Sequence, residues 1–187
     1  MVRILVHLHR KTANKEDDTV EIKLPLYNIL NMFLTGLVFI GGCVLLFSQY
    51  IIDLLKNEII KGLSAGPEIV ITVCVFAIAY ETGLIINRIG STIIEPIFKK
   101  TKLIPFNDDY ALFNEKKKQY PIMSTLSREF ALSRTGIVLF LLLAVLALFS
   151  NIKLLSIPLL IIAIIFYISC RKHAGKIVKL MSDSQDS

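Results

Sequence analysis

TGIVLFLLLAVLALFS-NIK-LLSIPLLIIAIIFYISC, residues 135–170, decides the architecture of this chain. Two apolar runs, Thr135 to Ser150 and Leu154 to Cys170, are parted by Asn151, Ile152 and Lys153 alone. A helix crosses the ~30 Å hydrocarbon core with about 20 apolar residues. Each run is near the short limit, but together they hold far more apolar length than one crossing uses. The connection allows only a tight reversal, so the stretch reads as an antiparallel hairpin of two membrane spans.

Working outward, Tyr27 to Ile52 offers a further span behind Pro25, and Ile69 to about Arg88 another, opened by Gly66-Pro67-Glu68. Pro67 suits a first helical turn. The expected fold is an all-α membrane protein, a four-transmembrane-helix bundle. Its segments are an N-terminal part over 1–26, spans at 27–52, 67–95 (with an extension), 134–150 and 154–170, connections at 53–66 and 96–133, and a basic tail at 171–187. The composition agrees: 54% of the 187 residues are hydrophobic and 19% charged, in blocks rather than interspersed as in soluble domains. Cys43, Cys74 and Cys170 lie in or beside the apolar blocks without paired spacing and read as small packing residues.

The first apolar block starts only near Tyr27, behind a segment of both charge signs, so no cleaved signal peptide is expected. Val2 and the Asp186-Ser187 end carry no lipidation motif. With both termini inside, 18 of the 21 lysines and arginines fall on the inner side. That ratio predicts an N-in/C-in topology in the bacterial inner (cytoplasmic) membrane. The net charge of +6 then reads as topology and attraction to anionic lipid, with no direct nucleic-acid binding expected.

Residues 3–9 and 19–24 both alternate, the second cleanly, with Val20, Ile22 and Leu24 set against Thr19, Glu21 and Lys23. Period-2 patterning on both sides of a polar stretch predicts a small cytoplasmic β-hairpin. A lone hairpin leaves one face uncovered. Val20, Ile22 and Leu24 are therefore candidate docking residues for the inner loop, a second copy or a cytosolic protein. The inner loop 96–133 is expected to be helical. Asn107-Asp108-Asp109 starts one helix, Lys116 to Lys118 closes it, and Leu112, Phe113, Leu126 and Phe130 supply buried faces. The outer loop 53–66 has the spacing of an amphipathic interfacial helix.

The second span is the unusual one. Glu81, Arg88 and Glu95 recur every seven residues, and Glu81 sits roughly 10 Å inside Arg88 at 1.5 Å per residue. A carboxylate at that depth costs a few kcal/mol unless paired, protonated or wet. The expected intramembrane polar node is Glu81, Asn87 and Arg88 with Asn31 and Arg134; Thr35, Tyr167 and Ser169 lie at comparable depth. Gly83, Asn87 and Gly90 form a stripe for close helix approach, matched by Gly36, Gly41 and Gly42. Such a node can transmit a signal, or it can simply fix packing and oligomer register.

Polar positions do not run through the full depth of the spans, as a permanent conduction path would require. His7, His9 and His173 stand beside no nucleophile or carboxylate pair, so no enzyme, no metal and no cofactor is expected.

The run ETGLIINRIGSTIIEP, residues 81–96, is similar to a pattern of small bacterial membrane proteins. In those, a transmembrane helix ends in Gly-x-x-Ile-x-x-Ile/Leu-Gly/Ser-Ser followed by an acidic residue. With its size, four spans and inner elements, the chain resembles the membrane subunit of the Kiwa anti-phage system. The resemblance implies an oligomeric inner-membrane protein that senses outside and recruits a cytosolic, DNA-binding partner. The leading expectation is thus a non-enzymatic scaffold or sensor that oligomerises and docks a cytosolic protein. The alternatives are a cytoplasmically gated pore-forming effector or channel, or a membrane immunity protein.

Overall fold

A computed structural model of the chain describes residues 26–50, 65–106 and 109–182. The expected β-hairpin with Val20, Ile22 and Leu24, and the body of the amphipathic loop 53–66, lie outside these residues.

Every regular element among the described residues is helical. In chain order these are α1 (Leu26–Leu46), α2 (Ala65–Ile89), a π turn (Gly90–Ile94), α3 (Glu95–Lys100), α4 (Tyr110–Gln119), α5 (Ile122–Phe149), a 3-10 turn (Lys153–Leu155) and α6 (Ser156–Ser182). Four stretches are long and apolar enough to cross a membrane: Leu26–Leu46, Ile69–Lys100, Ile122–Phe149 and Lys153–Ser182. The protein is a multi-pass membrane protein of four such helices.

Two segment boundaries fall inside continuous helices. Residue 134 lies within a single helix of 28 residues, about 42 Å long, which exceeds the hydrocarbon core. Pro121 starts it, where a missing N–H costs nothing. The tail expected at 171–187 is the last part of α6 up to Ser182, because Ala174 and Met181 bury a helical face there. Its lysines suit the negative end of the helix dipole.

The α3–α4 connection is ordered by its caps. Leu103 N–H donates to Phe98 O at 3.1 Å and Lys102 N–H to Lys99 O at 3.2 Å, with Lys102 at a φ of 55°. This closure usually employs glycine at the left-handed position. The reversal delivers Ile104 into a buried cluster with Ile137, Cys170 and Ala174, and Tyr167 Oη donates to Leu103 O at 3.3 Å. Asp109 caps α4 by accepting from Leu112 N–H at 2.9 Å. Lys116 is buried and donates to Gln119 Oε1, whereas Lys117 and Lys118 are exposed.

Helix α5 is the centre of the bundle: 56% of its apolar window is buried, against 17% for each other span. Its C-terminal half packs Val138, Leu139, Leu143 and Ala147 with Leu46 of α1 and Ile86 of α2. Gly136 faces the Phe166 ring, which stacks on Phe140 at 5.5 Å. In lipid, such close packing replaces the hydrophobic effect as the force between helices.

The small-residue surfaces are used within the chain. A Cβ on Gly36 would overlap the carbonyl oxygen of Ala79, and one on Gly83 that of Met32, so α1 and α2 cross backbone to backbone. Gly42 lies against Leu143, and Gly90 against Arg134 and Val138; Gly41 faces open space. The glycine stripe joins helices of one chain rather than being left free for a second copy.

Candidate functional site

The polar residues of α2 and α5 meet near the end of the bundle that carries α4. Arg134 is 9% exposed. Its Nη1 donates to Glu95 Oε2 in an ion pair, and its Nη2 reaches Asn87 Oδ1 at 3.5 Å. Thr135 Oγ1 donates to the same Asn87 oxygen at 2.9 Å, and Lys99 Nζ pairs with Glu95 at 3.0 Å. Beside this group Ser133 and Ser169 share a hydroxyl hydrogen bond of 3.0 Å between α5 and α6. The Arg134 guanidinium also lies 6.0 Å from the Phe130 ring.

Local helix geometry explains the convergence. Pro96 has no N–H, and its ring excludes the carbonyl four residues before it, so the helix cannot run regularly through this point. It widens into the π turn, where Glu95 N–H bonds Gly90 O. Ser91 Oγ donates to the carbonyls of Arg88 at 3.0 Å and Asn87 at 3.3 Å. Over eight residues a regular helix turns about 800°, leaving Asn87 and Glu95 about 80° apart. The π turn absorbs one residue, so the two advance like a pair seven apart and come within about 20°. Gly90 leaves room for the arginine, since a Cβ there would stand 3.3 Å from Arg134 Nε.

This geometry corrects the expected node. The extra residue takes Glu95 off the Glu81–Arg88 stripe and gives it to Arg134. Glu81 is exposed on the outward side of α2, with no polar partner among the described residues. Arg88, two turns along α2, is also exposed, with no ion pair among the described residues. Asn87 and Arg134 are brought together as expected partners in depth. Asn31 does not bond to them, but lines a cavity that both also line. Gly83 and Gly36 form the α1–α2 crossing, and Gly90 seats Arg134. Sequence reading missed Glu95 and Thr135 as members of the node. The available signal was Pro96 six residues after Gly90, a combination that interrupts a regular helix.

Two cavities flank Arg134. One, of about 330 Å³, opens at the α4 end between the α3–α4 connection, α4, α5 and α6. Phe106, Phe113, Phe130, Ile177 and Met181 give it apolar walls, and Glu95 and Arg134 also line it. The other, of about 270 Å³, lies between α1, α2 and α5, where polar groups such as Asn31, Arg128 and Arg134 share the wall with Met32 and Ala131. The arrangement can bind an apolar group against a charged pair, and it can couple that binding to helix packing.

Comparison with protein-family models, with curated proteins and with solved structures finds no match.

Proposed function

We propose that the protein is a non-enzymatic scaffold or sensor of the bacterial inner membrane that oligomerises and recruits a cytosolic protein at its α4 end. One observation carries the reading: the apolar cavity at that end is lined by the same Glu95–Arg134 pair that ties α2 to α5. An apolar side chain of a partner entering the cavity meets that pair directly. Docking and helix arrangement then bias one another through a shared contact. The excess of lysine and arginine on the α4 side supports a cytoplasmic position for it. The alternating segment with Val20, Ile22 and Leu24 belongs to the same side and is proposed as a second docking element.

Glu81 supports oligomerisation. An exposed carboxylate about 10 Å inside a membrane span is costly against lipid and tolerable against another protein or a wet interior. With the glycine stripe used inside the chain, the contact between copies falls to the outward side of α2. The likeness to the Kiwa membrane subunit supports a role in anti-phage defence.

Co-purification from the native host in mild detergent tests the recruitment. The wild-type chain is expected to bring down a cytosolic protein that Phe113→Asp and Ile177→Asp each release, with folding checked by monodisperse elution. Retention of the same partner by both folded variants would sink the reading.

A further inference from the structure

We infer that the cavity between α1, α2 and α5 is a phosphate-binding site, occupied by the headgroup of an anionic phospholipid of the inner leaflet. The cavity is lined by Tyr27, Asn28, Asn31, Asn87, Arg128 and Arg134. Two of these are guanidiniums and three are amides, a donor-rich set at the edge of an otherwise apolar bundle. Arg134 is balanced by Glu95. Arg128 is not: among the described residues no carboxylate pairs with it. Its contacts are a 3.1 Å hydrogen bond from Nη2 to Thr125 Oγ1 and the Tyr27 ring at 5.2 Å.

A guanidinium without a carboxylate among the described residues, beside a second guanidinium and three amides on one cavity wall, calls for an anion with several acceptor oxygens. A phosphodiester supplies these, and guanidinium forks match its geometry. Position favours a lipid as the source: the cavity sits where α1 begins and beside Arg128, at the border between the apolar spans and the cation-rich end. Basic pockets between transmembrane helices at that level take anionic headgroups.

Only the assignment to the inner leaflet rests on the proposed orientation; the chemistry of the site does not. The test uses the purified full-length protein in a neutral detergent at fixed ionic strength. Dioctanoyl phosphatidylglycerol, dioctanoyl phosphatidylcholine and sodium phosphate are titrated separately, and the thermal midpoint is read. Saturable stabilisation by phosphatidylglycerol alone is expected. Arg128→Gln should weaken it about tenfold, the loss of one charge-assisted hydrogen bond. Asn31→Leu, which leaves the arginines in place, should weaken it too, whereas Lys117→Gln on exposed α4 should not. Equal saturable stabilisation by phosphate, lost in the same variants, would keep the site but make its occupant a free anion. Equal responses to the two lipids, no response, or full binding by folded Arg128→Gln and Asn31→Leu would overturn the inference. Failure of the orientation alone would leave this titration unchanged and appear instead in surface labelling.

Discussion

Asn87 and Glu95, eight residues apart in one chain segment, reach the same guanidinium, that of Arg134. A regular helix does not allow this. The π turn between them, set by Pro96 and accommodated by Gly90, turns a mismatch of about 80° into near alignment. A proline interruption thereby becomes the device that binds α2 to the central helix.

Register can be tested directly. Deleting Thr92, which is exposed, together with Pro96→Ala should yield a regular helix with Asn87 and Glu95 seven apart and still on one face. That variant is expected to fold and keep the Glu95–Arg134 pair. Pro96→Ala with one alanine added after Thr92 should rotate Glu95 away by about 100° per residue and lower the unfolding midpoint. The comparison is read by thermal unfolding in micelles.

The α1–α2 crossing has no space for a side chain. Gly36→Ala and Gly83→Ala should each cost about 3 kcal/mol or more, because the obstacle is a backbone carbonyl rather than a flexible side chain. Gly41→Ala, which faces open space, should change stability by less than about 0.5 kcal/mol. Unfolding in a denaturing-detergent titration checks all three.

Glu81 contributes little to the fold of a single chain, since it is exposed with no partner among the described residues. Glu81→Leu should therefore not lower the unfolding free energy of the single chain, since it removes a carboxylate that is costly against lipid. On the proposed role between copies, it should shift the elution of the native complex toward the monomer. Mass measurement by light scattering distinguishes the two states.

Orientation follows from surface labelling in a background with Cys43, Cys74 and Cys170 replaced by alanine. Asn151→Cys, at the α5–α6 reversal, should react with a membrane-impermeant maleimide in spheroplasts. Lys117→Cys on α4 should react only after lysis. The opposite pattern would invert the proposed topology and move the α4 cavity outside.

Much of the fold was legible because bilayer thickness and apolar run length are simple, strong constraints. The α5–α6 hairpin could be read from three intervening residues, and Asp109, Pro121 and the basic closure of α4 marked their helix ends directly. The glycine crossing was legible as a stripe but not as an intramolecular one, since a sequence does not say which helix fills a groove. The node was legible only in Asn87 and Arg134: Glu81, Arg88 and Asn31 do not bond in it, and Glu95 and Thr135 do. Heptad spacing assigns Glu81, Arg88 and Glu95 to one stripe only if the helix is regular, and Pro96 removes that condition. Arg128 carried no signal, because an uncompensated arginine near a helix start resembles any boundary charge until the cavity around it is visible.

The most direct test is a pair of double-mutant cycles on unfolding free energy in micelles. Glu95→Gln alone should cost on the order of 2–3 kcal/mol, less than the ~3–5 kcal/mol of fully buried pairs because Glu95 retains 19% side-chain exposure. Combined with Arg134→Met it should show a coupling above about 1 kcal/mol, whereas Glu81→Gln with Arg134→Met should show none. Strong coupling of Arg134 to Glu81, with none to Glu95, would contradict the account.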